Sequence, residues 1–209
     1  MNSKILPFEM KNIPQILDVV VPLWSPPAWD DEFRRFNVEY IVRNNIFEND
    51  LRYELVDFAE NESDGEFCSC AFFTKKGGVC KALEWYERES KKFPEELRAS
   101  SKMSRTYIEY MDEKTQSLMN KDDIQLTLYV SRKPGAGSRL LNELCARLKN
   151  SGIKICIFGQ ILNVTGNGTL ITDTNLWKRE FTSSLAVMMK TSRFLFFEKP
   201  CSLVIAYYR

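Results

Sequence analysis

Histidine is absent from all 209 residues. No Ser-His or Cys-His dyad, no histidine general base and no histidine-ligated zinc can therefore be assembled. A surplus of either charge is absent too, because 29 Lys and Arg stand against 28 Asp and Glu, a formal net charge of +1. No bulk field points to nucleic acid or to an anionic membrane, and any anion site has to be local. No apolar run approaches the ~20 residues of a bilayer span, and Met1 to Pro7 lacks the apolar stretch of a signal peptide. The expectation is a soluble, cytoplasmic protein with neither a membrane nor a nucleic-acid partner. A second cysteine pair at ligand spacing is also missing. The six cysteines, Cys68, Cys70, Cys80, Cys145, Cys156 and Cys201, fall mostly in apolar segments, which suits reduced, buried thiols without a disulfide framework or a metal. No internal repeat or low-complexity segment is evident.

What is present suffices for one α/β domain over residues 1–209. Ile5-Leu6-Pro7-Phe8 reads as a short strand, and Asn12 as the cap of a helix carried by Ile13, Ile16, Leu17, Val20 and Val21. Ser25-Pro26-Pro27 interrupts it between Trp24 and Trp29, and a second helix runs from Asp30 or Asp31 to about Asn44. Arg52–Phe58 and Phe67–Thr74 form an antiparallel hairpin. Residues 81–120 are charged and helix-forming with a break at Phe93-Pro94, which predicts two helices inserted before the next strand. Ile124 to Val130 alternates apolar and polar side chains. It meets a glycine turn, after which Leu140, Leu141, Leu144, Cys145 and Leu148 recur at helical spacing. Ile153, Ile155 and Ile157 open a further strand. Residues 159–175 fit either a hairpin tip or an irregular loop, Leu176 to Lys190 reads as a helix, and Arg193–Phe197 with Leu203–Tyr208 reads as a terminal strand pair.

The turn carries the chemistry. A strand feeding a glycine turn that opens a helix aims free backbone N–H groups and the positive helix end at one point, as a pyrophosphate requires. Gly135 and Gly137 allow close approach, Ser138 offers a hydroxyl, and Arg132, Lys133 and Arg139 bring positive charge. Neither Gly-x-x-x-x-Gly-Lys-Ser/Thr nor Gly-x-Gly-x-x-Gly is present, so P-loop and Rossmann sites are disfavoured.

Arg132-x-x-Gly135-x-Gly137, followed by Ser138-Arg139-Leu140-Leu141, resembles the acetyl-CoA signature of GNAT acetyltransferases, and the order of elements is similar. The resemblance, best over Gln125 to Ile157, implies a mixed, mostly antiparallel central sheet flanked by helices, with 81–120 as a helical insertion before the cofactor-binding strand. It implies that backbone groups of Leu128, Tyr129 and Val130 pair with the pantetheine arm of acetyl-CoA, the co-substrate. Arg132, Lys133, Gly135, Ala136, Gly137, Ser138 and Arg139 would wrap its pyrophosphate.

The reaction expected is transfer of the acetyl group to a primary amine, of a small molecule or a peptide, by direct attack in a ternary complex. The alternative is a non-catalytic CoA-binding or interaction module of the same fold, and a homodimer is left open. Acetyl transfer needs a base for the amine, an oxyanion donor and a proton for the thiolate. Glu54, Asp57 and Asp173 are the candidate bases, and backbone N–H near Tyr129 or Val130 is the oxyanion donor. The family's tyrosine on the helix after the fifth strand has no counterpart, since Leu176–Lys190 contains none. Tyr129, Tyr107, Tyr110 or water would then protonate the thiolate. Trp24 and Trp29 sit where an acceptor-binding loop would lie, with core packing as the other reading of both.

Overall fold

In the computed structural model, the structure describes residues 2–25, 28–60, 65–151 and 153, and beyond them the strand segments 155–158, 162–164, 170–172, 177–180 and 202–204. Four antiparallel strands come first in the sheet: β1 (Asn2–Pro7), β2 (Arg52–Phe58), β3 (Glu66–Lys75) and β4 (Ile124–Ser131). β5 (Ile155–Phe158) lies parallel to β4. A parallel neighbour needs a crossover, and α5 (Ala136–Asn150) supplies it. β6 (Leu162–Val164) and β7 (Leu170–Thr172) form a separate antiparallel pair, so these parts of the open 159–175 region are a hairpin ladder. β8 (Trp177–Glu180) pairs antiparallel with β5, and β9 (Ser202–Val204) with β4. The result is a mixed, mostly antiparallel sheet flanked by helices.

The helix expected over Leu176–Lys190 is corrected at its start, because Trp177–Glu180 is strand. Helix propensity there yields to the free edge of β5, whose backbone groups find partners in β8. Residues 181–201, with the expected strand Arg193–Phe197, lie outside the described residues. The first strand begins at Asn2, three residues before Ile5, and ends before Phe8, which joins the core.

Helices cover both faces of the sheet. On one face lie α1 (Ile13–Trp24) and α2 (Asp31–Asn44), the latter capped by Asp30, whose Oδ1 accepts from the amides of Glu32 and Phe33. Ile16, Val20, Phe33 and Val38 pack there against Phe72, Leu128 and Val130. On the other face, Leu140, Leu144 and Leu148 of α5 pack on Leu55, Ala71, Phe73, Ile124, Leu126 and Tyr129. The insertion forms α3 (Ala82–Glu89) and α4 (Glu95–Leu118). α3 packs on α2 through Trp85 on Phe36 and Tyr86 on Tyr40, Phe93 ahead of α4 adds a further contact to Phe36, and Glu109 and Asp112 of α4 accept from Tyr40 and Asn44.

β4 departs from simple alternation. Its register steps from Leu128, opposite Phe72, to Leu126, opposite Phe73, so Thr127 is an extra residue, a β-bulge. The bulge sends Ile124 and Leu126 to the α5 face and Leu128 and Val130 to the other. Every residue of β4 is buried, Gln125 and Thr127 included, as befits a central strand covered on both sides. The Thr127 hydroxyl lies 2.8 Å from the Asn45 carbonyl and 3.2 Å from that of Phe72.

Candidate functional site

The bulge divides the outer edge of β4. Ile124–Leu126, before it, pair with β5, whereas Tyr129–Ser131, after it, have no β5 partner and stand in register with Val204, Leu203 and Ser202 of β9. The β4 edge thus parts from its parallel neighbour at Thr127. Of the residues expected to pair with a pantetheine arm, Tyr129 and Val130 stand in register with Val204 and Leu203 of β9.

Beyond Ser131 the chain turns sharply. The amides of Arg132 and Lys133 both point at the Cys68 carbonyl, at 2.8 and 3.4 Å, tying the turn to β3. Ala136 N–H donates to the Lys133 carbonyl (3.2 Å), and Gly137 N–H to Ser131 Oγ (3.1 Å), whose own hydroxyl donates to the Lys133 carbonyl (2.9 Å). Ser131 is therefore the latch of the turn. The amides of Gly135 and Ser138 find no acceptor among the described residues. They are the donors left over at the start of α5, where the helix end favours an anion.

The two glycines serve different ends. Gly135, at φ +77°, occupies the left-handed region, with nothing within 4 Å of where a Cβ would stand. At Gly137 a Cβ would lie 1.7 Å from the Tyr129 hydroxyl and 2.9 Å from Ser131 Cβ. Gly137 is thus required by the chain's own Tyr129, and not only by the approach of a ligand.

The charged residues of the turn diverge. Arg132 is exposed and donates through Nη1 to Gln15 Oε1 at 3.2 Å. Lys133 turns back to β2 and β3, where its ammonium meets Asp57 at 3.1 Å and Glu66 at 2.6 Å, and these bonds raise its pKa. Asp57 is held down to about 2, first by hydrogen bonding from Ser3 and then with help from Cys68 and Lys133. Arg139 reaches sideways to β1, donating to Ser3 Oγ (2.7 Å) and to the Ser3 carbonyl (3.4 Å). It lines a groove of about 690 Å³ with Ile5, Asn142 and Arg147. Ser138 and Ala136 are half-buried.

Glu54, Cys70 and Val130 stand in one row across β2, β3 and β4. That row places Glu54 about 10 Å from the β4 backbone, two strand spacings away. Glu54 is only 2% exposed, and its Oε2 accepts from Asn12 Nδ2 at 2.8 Å and from the Glu9 amide at 3.4 Å. Burial raises its pKa, with the hydrogen bonds from Asn12 and the Glu9 amide pulling the other way and the Glu9 charge adding to the rise. Tyr129 is buried beneath α5 with its pKa likewise raised by burial. Tyr110 is 59% exposed on α4, which also carries Tyr107. Trp24 and Trp29 are half-buried against the α1/α2 core, Trp29 edge-on to Phe33 at 5.1 Å. Asp173 lies outside the described residues.

Sequence reasoning missed Asn12, Gln15, Thr127 and Ser131. Asn12 carried a signal, but it was that of a helix cap, and its side chain makes no cap bond. Among the described residues no group of three Cys, Asp or Glu could hold a metal ion, and no helix is long and apolar enough to cross a membrane.

No family model matches the chain, and no curated protein matches it. Solved GNAT structures are similar to it. A GNAT family acetyltransferase from Brucella melitensis, in complex with acetyl-CoA, is 15% identical over 79% of this chain and 78% of its own, at a TM-score of 0.35. Arylalkylamine N-acetyltransferase 2 from Aedes aegypti is 11% identical over 86% and 97%, at 0.36. Polyamine N-acetyltransferase from Drosophila melanogaster is 8% identical over the same shares, at 0.32. At such identities and TM-scores the roles of residues rest on this chain's own geometry.

Proposed function

We propose that the chain is an acetyl-CoA-dependent N-acetyltransferase acting on a primary amine, of a small molecule or peptide, by direct attack in a ternary complex. The observation that carries this reading is the β4–turn–α5 unit. A bulged central strand parts from its parallel neighbour, and the Arg132-x-x-Gly135-x-Gly137 turn that follows leaves two amides without an acceptor among the described residues at a helix start. Those amides, of Gly135 and Ser138, with the Ser138 hydroxyl and the Arg132 guanidinium, would hold the pyrophosphate. Lys133 and Arg139, engaged by Asp57, Glu66 and Ser3, contribute charge at a distance, while Ala136 and Gly137 set the shape of the helix start.

Bound acetyl-CoA would supply the thioester. The amine must arrive or become neutral, and Glu54 is the base, acting through water across the distance to β4, with burial favouring proton uptake. A backbone N–H near Tyr129 or Val130 would meet the developing oxyanion once β9 leaves that edge. Tyr129, whose phenol holds its proton tightly beneath α5, is a poor donor to the thiolate, and water takes that part. Trp24 and Trp29 would border the acceptor.

A second reading, a CoA-binding or interaction module without turnover, is favoured by one observation: β9 occupies the β4 edge at Tyr129–Ser131.

The deciding experiment is calorimetric titration of acetyl-CoA into wild type and Ser138→Asp. A carboxylate in the first turn of α5 suits the helix but repels a pyrophosphate. Binding by wild type with at least about a tenfold loss in the variant, about 1.4 kcal/mol, establishes the site, and an amine screen for thiol release then separates the two readings. Absence of binding by wild type ends the acetyltransferase reading and the CoA-binding form of the second, and leaves an interaction module.

A further inference from the structure

A run of side-chain amides links the glycine turn to Glu54. Arg132 Nη1 donates to Gln15 Oε1 (3.2 Å), Gln15 Nε2 to Asn12 Oδ1 (3.1 Å), and Asn12 Nδ2 to Glu54 Oε2 (2.8 Å). Its polarity is set at the two ends. A guanidinium can only donate, so Gln15 must turn its oxygen to Arg132 and its nitrogen to Asn12. A carboxylate can only accept, so Asn12 must turn its nitrogen to Glu54. Asn12 forgoes the side-chain cap of α1 to do this, although such a cap stabilises a helix. Exposure grades along the run, from Arg132 at the surface, through half-buried Gln15, to Asn12 at 7% and Glu54 at 2%.

We propose that Gln15 and Asn12 are positioning residues that orient the Glu54 carboxylate and convey to it whether Arg132 is engaged by an anion at the turn. The identity of that anion, the pyrophosphate of acetyl-CoA, rests on the acetyltransferase reading; the relay itself does not. When Arg132 turns to an anion, Gln15 Oε1 loses its donor, the Gln15 amide is free to turn over, and Asn12 loses its fixed orientation. A buried carboxylate with a weaker donor holds a proton more tightly, so arrival of the cofactor makes Glu54 a stronger base. The other groups facing Glu54 are Glu9 and Lys11 before α1, paired with each other at 2.7 Å, and the Cys70 thiol of β3. None of them takes part in the run to Arg132.

The test is a ¹³C-carboxyl NMR titration of Glu54, assigned with Glu54→Gln, in the full chain as wild type, Arg132→Ala, Gln15→Ala and the double variant. Alanine at the half-buried position 15 of a helix keeps the fold. Arg132→Ala is expected to raise the Glu54 pKa in the wild-type background and to add nothing in the Gln15→Ala background. A direct effect of the Arg132 charge would act equally in both, so equal rises, or no rise in either, overturn the proposal. In a second arm acetyl-CoA is added. A rise in wild type that vanishes in Gln15→Ala supports the relay, and a rise of the same size in both overturns it. If calorimetry finds no acetyl-CoA binding, the acetyltransferase reading fails while the ligand-free comparison still judges the relay.

Discussion

Gly137 has no room for a side chain, and the chain's own residues take that room. A methyl group at 137 would drive into the Tyr129 hydroxyl and ring and crowd Ser131 Cβ. Overpacking of this kind costs roughly 1–3 kcal/mol. Gly137→Ala is therefore expected to lose about that much stability in urea unfolding, and Tyr129→Phe in the same chain to restore part of it by removing the nearest atom. Full additivity of the two changes would show that they do not meet. Cys70, fully buried in the row between Glu54 and Val130, has its thiol pKa raised by burial and, further, by Glu54. It packs as a small apolar side chain and is not a thiolate nucleophile.

α4 docks on α2 through polar groups. Tyr40 donates to Glu109, and Asn44 donates to Asp112. Burial lifts Asp112 from its ordinary 3.8 to about 6, against the pull of the Asn44 bond and with a further push from Glu109. The folded state thus binds this proton more tightly than the unfolded chain. The stability Asp112 contributes is greatest below about pH 4 and falls as pH rises toward 6, each unit of displacement corresponding to roughly 1.4 kcal/mol. Asp112→Asn keeps a hydrogen-bonding side chain opposite Asn44 without a charge. It should flatten this part of the pH dependence and be at least as stable as wild type at pH 7.5, by urea unfolding at pH 4.5, 6 and 7.5. A variant that retained the wild-type slope would assign the dependence to other groups.

Across the whole molecule the decisive feature is the occupancy of one strand edge. Past Thr127, β4 has left β5 and stands in register with β9, so an extended ligand on that edge would have to displace β9. Backbone pairing is open to any extended partner, which is how an exposed edge recruits a peptide or a pantetheine arm. Removal of residues 202–209 is therefore expected to tighten acetyl-CoA binding in calorimetry. A lower melting temperature with unchanged affinity would instead make β9 a structural strand that does not contest the site.

The sequence by itself determined the elements whose signals are local. The helical spacing of Leu140, Leu144 and Leu148, the glycine turn before them and the two helices of 81–120 each depend on neighbours along the chain, and each is in place. The absence of histidine likewise excluded its chemistry before any coordinates. Only the tertiary structure decided the bulge at Thr127, the strand at Trp177–Glu180, the collapse of Lys133 onto Asp57 and Glu66, and the use of Asn12 for Glu54. These depend on partners distant in sequence, 42 residues apart for Asn12 and Glu54 and 117 for Gln15 and Arg132. A side chain's local pattern states what it is able to bond. Which able partner it meets is fixed by the packing of strands and helices, because a buried polar group is costly until it is paired and the fold presents the partner.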